Sequence, residues 1–558
     1  MINNIKKFIN SFFSSKWRPI LFIIIIGVIL YIPTLGFDYH YLDDNNLIKD
    51  NYYKLENLSH IVQGFKEGVF PRSGNDETYY RPLLTTSFVI DAQFSDGISL
   101  KSFHFTNILL HLLSACLLYL LLLKLKIQQP LSFLFSLFFV IHPLNVHAVA
   151  WIPGRNDTLL TVFILSAFLS FMHYLKSRKI WQYLLYILFF CLSLLTKETA
   201  LAFPILILIY LYIIHKEKII SKFSIINIFL LLTTTIAWLT LHSQIIGKSL
   251  ASDYNIIYSL FTNSPAIFGY LGKVVFLHNL SVFPSISDIP LIFGIIVFIA
   301  IISLLYFSKN KNWSYIFFGT MWFLGTMAPS LIKNVASNNE FADFSEHRVY
   351  LALVGLIILL SQINIPINYK KIPHSINIII VIIISTTLFI ISFQHEKVYR
   401  DKISFWSNAV QYSPSSAFNA NNLGAMYYLD NKYDLAEKYW LKAYNLNPNE
   451  KLVQNNLGLI YANRGENEKA YQAYTKELKI NPLYSNTHFN LGLLLYNTNN
   501  IEKAIIAWEK TIELDPEYIN AYEALINHYL NINDIKQAKY YKNIADNMGI
   551  DIGIKIPE

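Results

Sequence analysis

Over its first 398 residues the chain alternates between long apolar runs and short polar connections, and it loses this pattern afterwards. A helix that crosses a bilayer needs about 20 apolar residues, and about eleven runs approach this length. We therefore predict an all-α fold that begins with a polytopic transmembrane helical bundle of about eleven spanning helices. The predicted spans are residues 19–35, 103–123, 130–148, 158–175, 181–196, 199–214, 224–243, 290–308, 314–331, 348–363 and 375–394.

One further apolar segment, residues 265–284, is interrupted by Lys273, His278 and Asn279. Lysine and arginine gather in cytoplasmic loops, and they follow every second predicted span when the N-terminus is cytoplasmic. If residues 265–284 crossed the membrane, Lys309 and Lys311 would lie on the outer side. The segment is therefore predicted to be an interfacial or re-entrant helix, which places the polar C-terminal region outside the cytoplasm.

Residues 399–558 contain no apolar run of membrane length but repeat a pattern every 34 residues. Each unit carries a Leu-Gly pair, a central alanine and a closing proline, as in Leu423-Gly424, Ala436 and Pro448. This period and pattern are typical of tetratricopeptide repeats (TPRs), which stack into an α-solenoid. We predict a membrane domain at 1–398 and a TPR domain at 399–558, with a half-repeat at 401–416 and repeats at 417–450, 451–484, 485–518 and 519–552.

Composition agrees with a membrane protein, because 54% of the 558 residues are hydrophobic and only 15% are charged. The net charge of +8 comes mostly from loop lysines, so nucleic-acid binding is not predicted. Both cysteines, Cys116 and Cys191, lie inside apolar runs, which excludes a disulfide framework in the soluble parts. The first apolar run ends without a small-residue cleavage site, so we expect a retained first helix.

Two adjacent aspartates, Asp43 and Asp44, follow the first span on the predicted outer side, in the stretch FDYHYLDDNNLIKDN. Adjacent side chains point apart, so one can act as a general base while the other orients or caps. The alternative is a solvated turn, because aspartate and asparagine favour loops and helix N-caps.

Other polar groups recur on the same predicted face. His104 shares a helical stripe with Asn107 and His111, for which interhelical hydrogen bonds are the alternative. Arg155 is predicted to hold a phosphate, since a guanidinium binds oxyanions with paired donors. His142 and His147 have a spacing that does not suit a metal, and no metal site is predicted. The remaining candidates are Arg81, for which interhelical hydrogen bonds are again the alternative, and a group for which local ion pairs and snorkelling to the membrane interface are the alternatives: Asp157, Lys197, Glu198, His347 and Arg348.

The ordered motifs LDDNNLIKDN, YRPLL, FHFTNILLHLL, HPLNVHAVAWIPGRND, TKETA and EHRVYLALVGL, followed by TPRs, resemble the transmembrane and tetratricopeptide-repeat O-mannosyltransferase family and its bacterial relatives. That family has the GT-C fold of integral-membrane glycosyltransferases, and the resemblance covers nearly the whole chain. Two positions depart from its pattern. Asn145 and His147 replace the usual His and Glu, and Ala352 stands where the family has proline.

The resemblance implies inverting transfer of a sugar from a polyprenyl-phosphate-linked donor to a hydroxyl on the non-cytoplasmic face. It implies Asp43 as the general base, with Asp44 as its alternative. The other candidates would bind the donor phosphate and sugar. No cofactor is required by this mechanism, although a divalent cation at the aspartate pair is compatible with the sequence. The partners implied are the lipid-linked donor and a protein or peptide acceptor recruited by the TPRs.

The isoleucine-, asparagine- and lysine-rich composition favours a bacterial inner membrane with periplasmic TPRs. A different class of function, a non-catalytic membrane-anchored TPR scaffold for envelope assembly, would leave the outer polar groups dispensable. A transporter is disfavoured because the membrane half shows no internal duplication. The enzyme hypothesis makes a geometric prediction, namely that residues 43, 81, 155, 197 and 348 converge around one pocket.

Overall fold

The computed structural model describes residues 11–70, 79–94, 97, 99–246, 256–332, 344–364 and 374–557. Within these ranges the chain forms only helices, turns and irregular segments, which confirms the predicted all-α class. The chain divides into two compact units, Met1–Ser413 and Pro414–Glu558.

The boundary between the units falls after the predicted one, because the helix of the predicted half-repeat belongs to the first unit. Trp406 donates its indole N–H to the carbonyl of His40 at 2.9 Å. Asn408 accepts from the backbone N–H of Val282 at 3.0 Å. This helix is therefore anchored on two connections of the membrane unit, at His40 and Val282.

The first unit is a bundle of long apolar helices with shorter helices in its connections. Its α-helices are α1 (Trp17–Tyr31), α2 (Tyr52–Leu55), α3 (His60–Gly64), α4 (Pro82–Ala92), α5 (Lys101–Lys124), α6 (Gln129–Ile141), α7 (Val146–Ala150), α8 (Arg155–Ser177), α9 (Ile180–Leu194), α10 (Phe203–Ile209), α11 (Lys222–Ile246), α12 (Ile256–Asn263), α13 (Pro265–Phe276), α14 (Leu291–Phe307), α15 (Trp313–Leu331), α16 (Tyr350–Leu360), α17 (His374–Glu396) and α18 (Lys402–Tyr412).

Five helical segments in the described ranges are long and apolar enough to cross a membrane, or six if the bent pair α6 and α7 forms one span. Four further apolar helices are shorter. Large apolar side chains remain exposed on these helices, as lipid contact requires, for example Ile383 on α17. The chain is thus an integral membrane protein, while the count of eleven spans stays a prediction.

The predicted span 130–148 is not one straight helix, because it bends by 54° between α6 and α7. Proline at 143 disfavours helical backbone at the residue before it, and His142 is extended with ψ of 128°. The His142 ring accepts from the backbone N–H of Leu144 at 3.3 Å and so caps the 3-10 helix Pro143–Asn145, which follows the bend. The bend leads the chain into the short helix that carries His147.

Helix α13 occupies the ambiguous segment and has 12 residues, a length of about 18 Å, which is shorter than a bilayer core. This length agrees with a helix that does not span. Helix α13 packs closely on α14, where a Cβ on Gly294 would lie 1.7 Å from the carbonyl oxygen of Phe268. Small residues allow such backbone approach in membrane bundles.

The second unit consists of helix pairs that follow the 34-residue period, which confirms the TPR solenoid. Alternating Ile550, Ile552, Ile554 and Ile556 pack against the last pair. The helices are α19 (Ala417–Leu429), α20 (Tyr433–Leu446), α21 (Val453–Asn463), α22 (Asn467–Ile480), α23 (Ser485–Asn497), α24 (Ile501–Leu514), α25 (Ile519–Asn531) and α26 (Ile535–Asn547).

The glycine of each Leu-Gly pair faces an aromatic ring of the second helix in its repeat. A Cβ on Gly458 would lie 2.5 Å from the buried ring of Tyr474, and Gly424 and Gly492 meet tryptophans in the same way. We expect Gly458→Ala to destabilise the TPR unit by about 1–3 kcal/mol, because overpacking outweighs the helix propensity gained. Hydrogen exchange of α21 and α22 measures the effect. Gly553→Ala is the control, since its Cβ would meet nothing within 4 Å; unchanged protection in Gly458→Ala would contradict the packing argument.

Candidate active site

The two aspartates that follow α1, Asp43 and Asp44, have different environments. Asp44 is fully buried and accepts from the backbone N–H groups of His40 at 2.7 Å and Asn45 at 3.0 Å. The His40 ring lies between Asp44, 3.1 Å from Nδ1, and the carbonyl of Tyr399, 2.5 Å from Nε2. The ring thus joins the aspartate loop to the backbone at Tyr399. The hydrogen bonds of Asp44 therefore stabilise the loop that contains it.

Asp43 lies at the start of a short π-helix, Asn45–Lys49, and its side chain is partly exposed. Its backbone is left-handed with φ of 68°, which is uncommon for residues other than glycine. Its carbonyl accepts from the N–H of Leu47 at 2.8 Å. The two carboxylates thus differ, since Asp44 is buried and hydrogen-bonded within its loop whereas Asp43 is partly exposed.

The 3-10 helix Glu346–Val349 presents three consecutive polar side chains to three different neighbours. A 3-10 helix has three residues per turn, so successive side chains point about 120° apart. Glu346 binds Lys273 at 3.0 Å and His395 at 3.1 Å. His347 and Arg348 then point in the two remaining directions.

The buried ion pair of Glu346 anchors this 3-10 helix. Burial alone would raise the pKa of Glu346, but Lys273 and His395 hold that pKa below its ordinary value. The carboxylate therefore remains charged at neutral pH. Because its partners come from α13 and α17, one residue fixes the 3-10 helix against two separate parts of the bundle.

His347 lies in an aromatic cluster that also contacts the aspartate loop. Its ring centroid is 4.7 Å from that of His147 and 5.2 Å from that of Trp151. Trp151 in turn donates its indole N–H to the carbonyl of Leu42, the residue before Asp43, at 2.9 Å. The structure thus brings His147 and His347 together beside the loop that carries the aspartates.

Arg348 lies close enough to Lys197 for their charges to interact. Lys197 binds both carboxylate oxygens of Asp157, at 2.7 and 2.8 Å. Arg81 forms a two-point contact with Glu198, at 3.3 and 2.8 Å. We call these five residues the basic cluster, because three cations face two carboxylates.

The charge balance of the basic cluster affects Lys197 directly. Burial lowers the pKa of Lys197, and the neighbouring Arg81 and Arg348 lower it further against the opposing charge of Asp157. With three cations and two carboxylates, the basic cluster formally carries a net positive charge.

Arg155 does not join the basic cluster, and its predicted role as a phosphate clamp does not fit its contacts. Its side chain is fully buried and pairs with Asp91 at 2.5 Å. The same guanidinium donates to Asn107 Oδ1 at 2.7 Å, the Phe103 carbonyl at 2.6 Å and Ser87 Oγ at 3.1 Å. With these partners it joins α8 to α4 and α5 and is a structural residue.

His104 and His142 also lie apart from the basic cluster. His104 is fully buried in α5 with its ring against Phe37. His142 donates to the carbonyl of Val274 at 3.0 Å and so ties the bend after α6 to α13. Elsewhere on the His104 stripe, Asn107 donates to carbonyls at 149, 151 and 152, which matches the alternative of interhelical hydrogen bonding.

Sequence reasoning did not assign functional roles to several residues that build this site. In the sequence Lys273 is only an interruption in an apolar helix. A lysine buried in such a helix needs an acidic partner, and this requirement is the one signal that points to its role. His395 ends a long apolar run, and Trp151 lies among apolar residues, so neither gives a local signal. Their contacts depend on segments that are distant along the chain.

The fold and the described contacts together define an integral membrane protein with a TPR array and a cluster of charged residues. Residues 453–482 and 485–518 match family models described as tetratricopeptide repeat. Among solved structures, one titled crystal structure of MamA is 24% identical with a TM-score of 0.24, covering 26% of this chain and 85% of that one.

The homologues of the chain among curated proteins are named protein O-mannosyl-transferases. F38B6.6 of Caenorhabditis elegans is 27% identical over 200 residues, which is 34% of this chain and 27% of that protein. The tmtc2 protein of Xenopus laevis is 30% identical over 36% of this chain and 25% of that protein. TMTC2 of Mus musculus is 31% identical over 27% of this chain and 18% of that protein. The matches thus span about a quarter or less of these relatives.

Proposed function

We propose that the protein is a GT-C type glycosyltransferase that moves a sugar from a polyprenyl-phosphate carrier to a protein serine or threonine hydroxyl. The observation that carries this proposal is the 3-10 helix Glu346–Val349. On this helix His347 packs against Trp151, which donates to the loop of Asp43, and the charge of Arg348 acts on Lys197. This arrangement supports a base and a phosphate-binding group acting on one substrate, as a transfer reaction with a phosphate leaving group requires.

In the proposed reaction, Asp43 takes the proton of the acceptor hydroxyl as that oxygen attacks the anomeric carbon. The bond from the anomeric carbon to the phosphate oxygen breaks, with inversion at carbon. The electron pair leaves with the polyprenyl phosphate, whose new charge the basic cluster stabilises. The partly exposed position of Asp43 supports this role, since an acceptor protein arrives from water.

The membrane unit would bind the lipid donor, and the TPR unit would recruit the acceptor, because solenoids of this kind offer extended concave binding surfaces. We place the reaction on the non-cytoplasmic face from the distribution of loop lysines and arginines. The corresponding location is a bacterial inner membrane with periplasmic repeats. The names of the curated relatives support the reaction class, O-mannosyl transfer.

The test is a transfer assay with the purified full chain in lipid nanodiscs. The donor is polyprenyl phosphate carrying radiolabelled mannose, and the acceptor is a mixture of extracellular and periplasmic proteins. We expect label on protein that alkaline β-elimination releases as free sugar. Absence of transfer from mannosyl, glucosyl and N-acetylhexosaminyl donors alike would overturn the proposal and favour the membrane-anchored scaffold.

Arg348 offers a test of the proposed phosphate site that should spare the fold, because its side chain is partly exposed. We expect Arg348→Gln to raise the donor KM about tenfold or more, since a charge-assisted hydrogen bond is worth about 1.5–3 kcal/mol. The acceptor KM should not change. Arg400→Gln is the matched control, an exposed arginine in the same unit that pairs only with Asp401 in the described contacts. Equal donor KM values in both variants would remove Arg348 from the phosphate site.

A further inference from the structure

Helix α11 has an unusual pattern of buried residues for a helix at the edge of the bundle. Most of its surface is exposed apolar side chain, such as Ile236 and Leu239. The buried positions form one stripe with helical spacing. The stripe contains Ser224, Asn227, Leu231, Trp238, His242 and Ile246. Its outer part therefore turns an indole and an imidazole, rather than aliphatic residues, toward the protein.

These two side chains lie at the edge of the basic cluster. The rings of Trp238 and His242 are 5.0 Å apart, and His242 is 6.5 Å from Tyr80, the residue before Arg81. His242 also interacts electrostatically with Glu198 and Arg81. One face of α11 thus borders the basic cluster while the other faces the bilayer.

Trp238 has an unsatisfied donor at this position. The side chain is only 5% exposed, and its Nε1 atom has no hydrogen-bond partner among the residues that the structure describes. An indole N–H can only donate, and leaving such a group unpaired inside a protein is unfavourable. A ligand that offers oxygen acceptors would satisfy it. Polar groups at membrane depth commonly mark substrate pathways.

We infer that Trp238 and His242 form the membrane-side wall of the donor site and bind the head group of a polyprenyl-phosphate-linked sugar. This inference rests on the proposed function. The sugar hydroxyl and phosphate oxygens accept from Trp238 Nε1 and from the His242 ring, while Arg81 and Lys197 balance the phosphate charge. The isoprenoid chain lies along the exposed apolar face of α11, so the donor enters from the bilayer past this helix.

The test measures binding separately from transfer. The full chain in nanodiscs is titrated with tritiated polyprenyl-phosphate mannose, and with polyprenyl phosphate that lacks the sugar. We expect Trp238→Phe and His242→Gln each to weaken binding of the mannosylated lipid at least fivefold, and to raise the donor KM in transfer by a similar factor. The acceptor KM should stay constant. Trp181→Phe, an exposed tryptophan at the start of α9, should bind as the wild type does.

The outcomes separate this inference from the proposed function. If the wild type transfers sugar and both variants bind the lipid and transfer sugar as the wild type does, Trp238 and His242 do not bind the donor. The proposed glycosyltransferase function is then retained. A second outcome is that the wild type binds the lipid tightly, both variants bind it weakly, and no protein transfers sugar. The proposed reaction is then wrong, while the lipid-binding role of Trp238 and His242 is supported. Absence of lipid binding by the wild type would overturn the wall. Melting temperatures of both variants within about 2–3 °C of the wild type show that weakened binding does not reflect unfolding.

Discussion

An Asp43→Asn variant should remain folded and membrane-inserted but lose sugar transfer by about 10²–10⁴-fold, the usual contribution of a general base. The amide has the same shape as the carboxylate and cannot take the proton of the attacking hydroxyl. Because Asp43 is partly exposed, we expect the change to cost little stability. The rate of transfer at saturating donor and acceptor measures the effect, and the melting temperature in detergent checks the fold.

Two neighbouring substitutions make the result specific. Asp50→Asn changes an exposed carboxylate at the end of the same π-helix and should leave transfer unchanged. Asp44→Asn should instead lower stability, by about 3–5 kcal/mol, since it removes the buried partner of the His40 ring. Near wild-type transfer by Asp43→Asn would exclude Asp43 as the base. A folded but inactive Asp44→Asn protein would show that the second aspartate is the base instead.

The second large effect is expected at Arg155, and it is one of stability. Arg155→Met removes the partner of Asp91, whose carboxylate is otherwise bound only by Thr106 at 2.6 Å in the described contacts. Breaking a buried pair by deleting one partner typically costs about 3–5 kcal/mol. We expect a strongly lowered melting temperature and a loss of transfer in proportion to the loss of folded protein.

The double variant Arg155→Met with Asp91→Leu distinguishes structure from catalysis. Replacing both members of a buried pair by apolar residues is often neutral for stability. We therefore expect the double variant to recover both the melting temperature and the transfer rate. If the double variant folded as the wild type does but transferred nothing, Arg155 would contact the donor, as the sequence interpretation proposed.

The helical architecture followed from the sequence because its signals are local. Apolar runs of membrane length predict helices, and the TPR period arises from glycines that admit an aromatic ring, as Gly458 admits Tyr474. The bend at Pro143 also has a local cause, because proline disfavours helical backbone at the preceding residue. It was not predicted, because residues 130–148 are apolar enough to be taken as one continuous span. The helix Lys402–Tyr412 was predicted as a half-repeat, and its place in the membrane unit depends on distant contacts such as that of Trp406 with His40.

The candidate site was only partly predictable, because residue type and predicted membrane face do not determine burial. In the described contacts Arg81 pairs with Glu198 and Lys197 pairs with Asp157, and the charge of Arg348 acts on Lys197. Arg155 has the same charge and was predicted at the same membrane face, yet its side chain is fully buried between helices. The difference lies in the acceptors that surround each guanidinium, and these come from other segments.

By itself the sequence determined a bundle of apolar helices, a repeat array of period 34 and a set of charges on one predicted face, since hydrophobic length and periodicity act over short stretches of chain. Only the tertiary structure decided which aspartate faces inward, which arginine is enclosed, and that Lys273 and His395 hold Glu346. The physical reason is that the ionisation and the role of a buried group are set by its partners in space, and here those partners are distant in sequence.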